Sequence, residues 1–97
     1  MTVLIIKNGS DRSRGYVSLY MLQISVGVYI GKIDINIKEN ITRFLKDEIS
    51  HKRDMYCTLI TDKKNVQGFE FELLGKHVNG YKKEEFDSLF LITIDRV

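Results

Sequence analysis

Residues 2–7, TVLIIK, hold four consecutive apolar side chains, and four of the six residues are β-branched. In an extended chain, successive side chains point to opposite faces, so an unbroken apolar run leaves neither face suited to water. The stretch is expected to form a central strand covered on both sides. Such a strand needs neighbours along both edges and a layer over each face. The rest of the chain must supply them or recruit them.

The chain's helices are the first candidates for a covering layer. NGSD, residues 8–11, breaks the run, and Ser10 or Asp11 can cap a helix there. Val17, Tyr20, Met21 and Ile24 follow at helical spacing and define the buried stripe of a first helix. NIKENITRFLKDEISHK, residues 36–52, is the clearest helix. Asn36 with Glu39 gives it a capping-box start, and Ile37, Ile41, Phe44, Leu45 and Ile49 share one face. His51, Lys52 and Arg53 end it where positive charge complements the dipole.

The remaining segments supply strands. SVGVYIGKI, residues 25–33, is a second strand region, either one bent strand or two, with Gly27 and Gly31 marking bends or close approaches. MYCTLIT is a third strand, followed by the polar turn DKKNVQG. In FEFELL, Phe69, Phe71 and Leu73 are expected on one face, with Glu70 and Glu72 on a wet one. A loop over residues 75–88 leads to LFLITI, residues 89–94, apolar on both faces. A terminal strand with no polar face is expected to be shared with a second subunit. The resulting fold class is α+β: a ferredoxin-like sandwich of two helices on a mainly antiparallel sheet, formed by a single domain over residues 1–97.

Composition narrows the function classes. Hydrophobic residues make up 43% and charged residues 29%, which excludes a disordered chain. The longest apolar runs are too short to span a membrane, and the first residues lack the features of a secretory leader. The single cysteine, Cys57, excludes an internal disulfide, so a reducing, cytoplasmic setting is expected. Charge is uneven: residues 1–53 hold nine Lys/Arg against five Asp/Glu, and residues 54–97 hold six against eight. A basic first half suggests a polyanion contact.

Few residues propose catalysis. His51 and His77 have no ligand-spaced partners, and Cys57 alternates among apolar residues as a core side chain would. Asp11, Asp34, Asp54 and Asp62 all lie near element ends, where carboxylates cap helices and turns. No catalytic residue and no metal ligand is assigned. Arg12 and Arg14 stand out, because first-turn arginines oppose the positive end of a helix dipole. A phosphate would turn that conflict into a site, with Gly15 allowing close approach. Lys38 opens the second helix in the same way, and Lys76, Lys82 and Lys83 lie in the long loop.

RSRG, VGVYIG, INIKENI and QGFEFELLG, followed by a final apolar strand, occur in an order and spacing that resembles one family over essentially the whole chain. That family is the small CRISPR-associated Cas two proteins, in the branch accompanying Cascade-type (type I-E) systems. The resemblance implies a ferredoxin-like homodimer held between dimers of the CRISPR integrase, the Cas one protein. The assembly captures double-stranded DNA and inserts it into the CRISPR array as a spacer. DNA-phosphate contacts carry over onto Arg12 and Arg14, with Lys38, Lys76 and His77 as further nucleic-acid contacts. The final strand and tail carry the expected partner contacts at Leu89, Leu91, Thr93, Asp95 and Arg96, with the acidic stretch Glu84, Glu85 and Asp87 as the other candidate docking surface.

Other members of the wider family resemble metal-dependent nucleases with an aspartate at the end of the first strand. Here that place holds Lys7 and Asn8, neither of which offers an anionic ligand. Asp11 is the nearby carboxylate, with capping as its expected job. The expectation is a non-catalytic scaffold that requires no cofactor. The alternative is a metal-dependent endonuclease acting on RNA or duplex DNA with magnesium. A ferredoxin-like RNA-binding module is disfavoured, since the strands lack an exposed aromatic trio for base stacking. Some relatives in this branch carry an exonuclease domain after the final strand, so the chain is expected to be either a whole small protein or the N-terminal domain of a longer one.

Overall fold

The computed structural model describes residues 1–64, 66–76, 81–86 and 89–94, with side chains in the first two of these ranges. The chain order is β1 (Thr2–Lys7), α1 (Asp11–Val17), β2 (Leu22–Ser25), β3 (Val28–Gly31), α2 (Ile35–His51), β4 (Tyr56–Asp62), β5 (Phe69–Gly75), β6 (Tyr81–Phe86) and β7 (Leu89–Ile94). The first five strands form one antiparallel sheet in the order β2-β3-β1-β4-β5. From β1 to β4 this is the ferredoxin-like arrangement, two helices on an α+β sheet, and β5 extends it beyond β4. Strands β6 and β7 form a separate antiparallel pair.

β1 occupies the centre, as its two-faced apolarity predicts. Thr2, Leu4 and Ile6 are buried, while Val3 and Ile5 are half-buried. Leu4 stands opposite Tyr29 on β3 and Leu59 on β4, and all three join a core with Val17, Ile41 and Leu45 from the helices. The α2 face matches expectation: Ile41 and Leu45 are buried, with Ile37, Phe44 and Ile49 packed at the margin. Burying a Leu or Ile side chain fully is worth about 1.5–3 kcal/mol, so this layer is the main source of cohesion.

Register also identifies the opposite face. Leu22, Ile30, Val3, Ile60 and Phe71 form one row across all five strands. Val28, Ile5, Thr58 and Leu73 form the next. Neither helix covers these rows. Leu22, at the β2 edge of the first row, is 66% exposed, whereas Phe71, at its β5 end, is buried.

Several boundaries differ from the sequence reading. Helix α1 ends at Val17, so the spacing that continues through Tyr20, Met21 and Ile24 is not helical. Met21 is still buried, but Tyr20 and Ile24 are exposed, and pairing with β3 draws residues 22–25 into a strand. The second strand region is two strands joined at Val26–Gly27. Gly27 is required there: its φ is +72°, its carbonyl accepts the Ile6 N–H at 2.7 Å, and a Cβ would come within 2.3 Å of the Ile6 carbonyl oxygen. Helix α2 starts one residue before Asn36, and Asp34 is its cap, accepting the Ile37 N–H at 2.8 Å. The expected Asn36–Glu39 capping box is therefore displaced.

In β5 Phe69, Phe71 and Leu73 share one face, as expected, with Phe71 only 4% exposed, but that face is the one turned away from the helices. Glu72 stands opposite Leu59 on the helix side, Leu74 is buried there, and Phe71 lies on the other face. Phe69 is 40% exposed. Residues 81–86, expected within a loop, are strand β6, paired with β7. Its sequence YKKEEF has no apolar alternation to announce it.

Candidate nucleic-acid interface

The turn from β1 into α1 is built by short polar contacts. Asn8 takes a left-handed conformation (φ +57°), its amide donates to the Asp54 carbonyl at 2.9 Å, and its own carbonyl accepts Lys52 Nζ at 2.7 Å. Ser10, rather than Asp11, caps α1 by accepting the Ser13 N–H at 3.0 Å. Both serine hydroxyls also reach Glu48 Oε1 on α2, at 3.1 and 3.3 Å. Ser13 is fully buried, so this carboxylate pins the start of α1 against α2.

The two arginines meet different fates on this scaffold. Arg14 turns back along its own helix, donating to the Gly9 carbonyl at 2.7 Å and pairing with the Asp11 carboxylate. Asp11 therefore balances an arginine instead of capping. This local pairing offsets the dipole conflict that the sequence raises, without any outside anion. Arg12 is exposed and has no ion pair among the described residues; its guanidinium carbon sits 5.5 Å from the centre of the Phe44 ring. Around Gly15 the space is open: an added Cβ would meet nothing within 4 Å.

The other predicted cations divide between the two ends of the sheet. Register puts Lys7, Tyr56 and Gly75 in one row, so Lys76, the next residue, emerges at the end where the β1–α1 turn lies. Arg53, just before β4, belongs to the same end. Lys7, Arg53 and Lys76 are exposed and have no ion pair among the described residues. Lys38 lies at the opposite end, at the start of α2. Its side chain is only 16% exposed, with Nζ 3.7 Å from Glu72 Oε1 on β5. The structure thus brings Arg12, Arg14 and Lys76 to one end and leaves Lys38 apart, engaged within the fold. His77, Asp95 and Arg96 lie outside the described residues. Leu89, Leu91 and Thr93 lie on β7, whose side chains are likewise outside them.

Lys7, Arg53 and Phe44 were not singled out as site residues by sequence. Lys7 and Arg53 carried a signal, since Lys7 ends β1 and Arg53 follows the Lys52 cap of α2 as a further cation. The contact between Arg12 and Phe44 spans two helices and has no local signature.

The remaining chemical groups are quiet. Cys57 is fully buried, and that burial pushes its thiol up to about 12, far from a reactive thiolate. His51 Nδ1 lies 2.8 Å from the Asp47 carbonyl oxygen at the end of α2. Asp34 is committed to its cap, and Asp54 sits 3.8 Å from Lys52. Magnesium requires several convergent oxygen ligands with anionic charge. At the end of β1 stand a lysine and an asparagine, neither of them anionic, and the neighbouring Asp11 is paired with Arg14. That donor set does not fit the ion. No helix among the described residues is long and apolar enough to cross a membrane.

No curated protein matches at a significant level. The model of the CRISPR-associated protein family Cas_Cas2CT1978 matches residues 1–91, nearly the entire length. The chain, with its ferredoxin-like sheet and cation-rich β1–α1 end, belongs to this Cas two family of CRISPR-associated proteins.

Proposed function

We propose that the protein is the non-catalytic scaffold subunit of a CRISPR spacer-acquisition complex of the type I-E kind. It binds duplex DNA through the phosphate backbone and bridges integrase dimers. Family membership over residues 1–91 is the observation that carries this reading. Arg12, Arg14 and Lys76, joined by Lys7 and Arg53, give the DNA backbone a cationic end to follow. Phosphate contacts set affinity and position without reading bases. The subunit acts as a homodimer: the apolar rows on the helix-free face, with Leu22 largely exposed, suit a second copy. The final strand and tail, through Leu89, Leu91, Thr93, Asp95 and Arg96, supply the integrase contact.

The competing reading is a metal-dependent endonuclease, and the donor set at the end of β1 disfavours it. One titration addresses both. Wild type and the Arg12→Ala/Arg14→Ala double variant are titrated onto unrelated duplexes over a range of salt, with and without magnesium. The variant should bind all sequences more weakly, with a flatter salt dependence, by about 0.9 per lost phosphate contact. The duplex should stay intact in magnesium. Unchanged affinity and slope would remove the phosphate role, and magnesium-dependent cutting abolished by Asp11→Asn would establish the nuclease.

A further inference from the structure

We propose that Phe44 is a positioning residue for DNA binding, its ring holding the Arg12 guanidinium in place for a phosphate. This rests on the phosphate-contact reading of Arg12 given above. Arg12 is exposed and has no acidic partner among the described residues, so its charge remains available to an outside anion. Its geometry is nonetheless supported, with the guanidinium carbon 5.5 Å from the Phe44 ring centre. Phe44 is itself fixed: Tyr16 stacks on it at 4.0 Å with an interplanar angle of 10°, and Tyr20 meets Tyr16 edge-on at 5.6 Å. A guanidinium lying over an aromatic ring keeps its full charge and its hydrogen-bond donors while losing side-chain freedom before the ligand arrives. Arg14 is held differently, by Asp11 and the Gly9 carbonyl, which partly neutralise it. The two arginines are therefore a free, ring-supported cation and a paired one, and Arg12 is the stronger phosphate contact.

The test is a double-mutant cycle on duplex affinity, read across salt concentrations, with melting curves on every variant. Arg12→Ala should weaken binding and lower the salt slope by about 1 per protomer. Phe44→Leu should weaken binding about threefold while leaving the salt slope unchanged, because no charge is lost. In the Arg12→Ala background, Phe44→Leu should have no further effect, and Phe44→Tyr, which keeps the ring, should retain wild-type affinity. Arg12→Lys changes only an exposed side chain, so it serves even if Phe44→Leu melts early; it should keep the slope and lose affinity. If Arg12→Ala binds like wild type, Arg12 is no phosphate contact, and the parent reading fails together with this one. If Arg12→Ala weakens binding but Phe44→Leu acts equally in both backgrounds, or Arg12→Lys binds as well as wild type, the positioning role alone is overturned.

Discussion

The two faces of the five-stranded sheet have similar apolar composition and opposite surroundings. On one, Leu4, Cys57 and Leu59 are at most 2% exposed beneath α1 and α2. On the other, Phe71 is buried toward the β5 edge, Val3, Ile5 and Ile60 remain half-buried, and Leu22 stands largely in solvent at the β2 edge. An apolar strand face demands a layer but does not say which molecule provides it. For the first face, the helices of the same chain meet that demand. For the second, a second copy is the proposed cover. The contrast separates what stabilises the single chain from what the proposed dimer would bury.

The largest effect should come from the covered face. Leu45→Ala removes a fully buried side chain and should lower unfolding free energy by about 2–5 kcal/mol in a urea titration. A loss below about 1 kcal/mol would mean the helix layer is not the main source of cohesion. The open face should respond in association instead. Leu22→Glu leaves the core untouched, yet puts a charge into the proposed contact. Sedimentation equilibrium should show the dimer dissociation constant raised by about tenfold or more, equivalent to about 1.4 kcal/mol. A wild-type monomer at micromolar concentration would remove the dimer.

Cys57 reports on the covered face through pH. Its thiol is raised from 9.0 to about 12 in the fold, so the unfolded chain ionises first as pH climbs. Stability is therefore fully present below about pH 9 and declines as pH rises toward about 12. Near neutral pH, a thiol reagent should label the native protein only at the rate of opening. Labelling as fast as in urea would contradict the burial. The smallest effect belongs to the rim of that face, where Lys38→Ala breaks a partly exposed pair with Glu72. It should change stability by less than about 1 kcal/mol, with duplex affinity unaltered. A clear loss of DNA binding would return Lys38 to the interface.

Much of this contrast was legible in the sequence. The apolar run at residues 2–7 implied a strand with two covered faces, and the α2 stripe named most of one cover. What escaped notice was decided by contacts between distant segments. Tyr20 and Ile24 continue a helical spacing past Val17, and no Gly or Pro intervenes to stop it; the β3 pairing stops it instead. Glu70 and Glu72 read as a wet face, and the Glu72 side chain does keep 43% exposure, but the register with β4 sets it on the helix side, where Lys38 meets it. Strand β6 is defined by its partner, not by its own alternation. At the site, Arg12 and Arg14 were visible as an electrostatic anomaly. Their separation into a free and a paired cation depends on Asp11 three residues away and on Phe44 in another helix.

Reconstitution with a CRISPR integrase, the proposed partner, is the most direct test of the proposed scaffold role. The purified protein, the integrase and a duplex are mixed in magnesium and resolved by size-exclusion chromatography with light scattering. A single species containing both proteins and intact duplex is the predicted result, and it should fall apart when residues 95–97 are removed from a chain that still folds. Elution of this protein apart from the integrase, or duplex cut by this protein alone, would contradict the account.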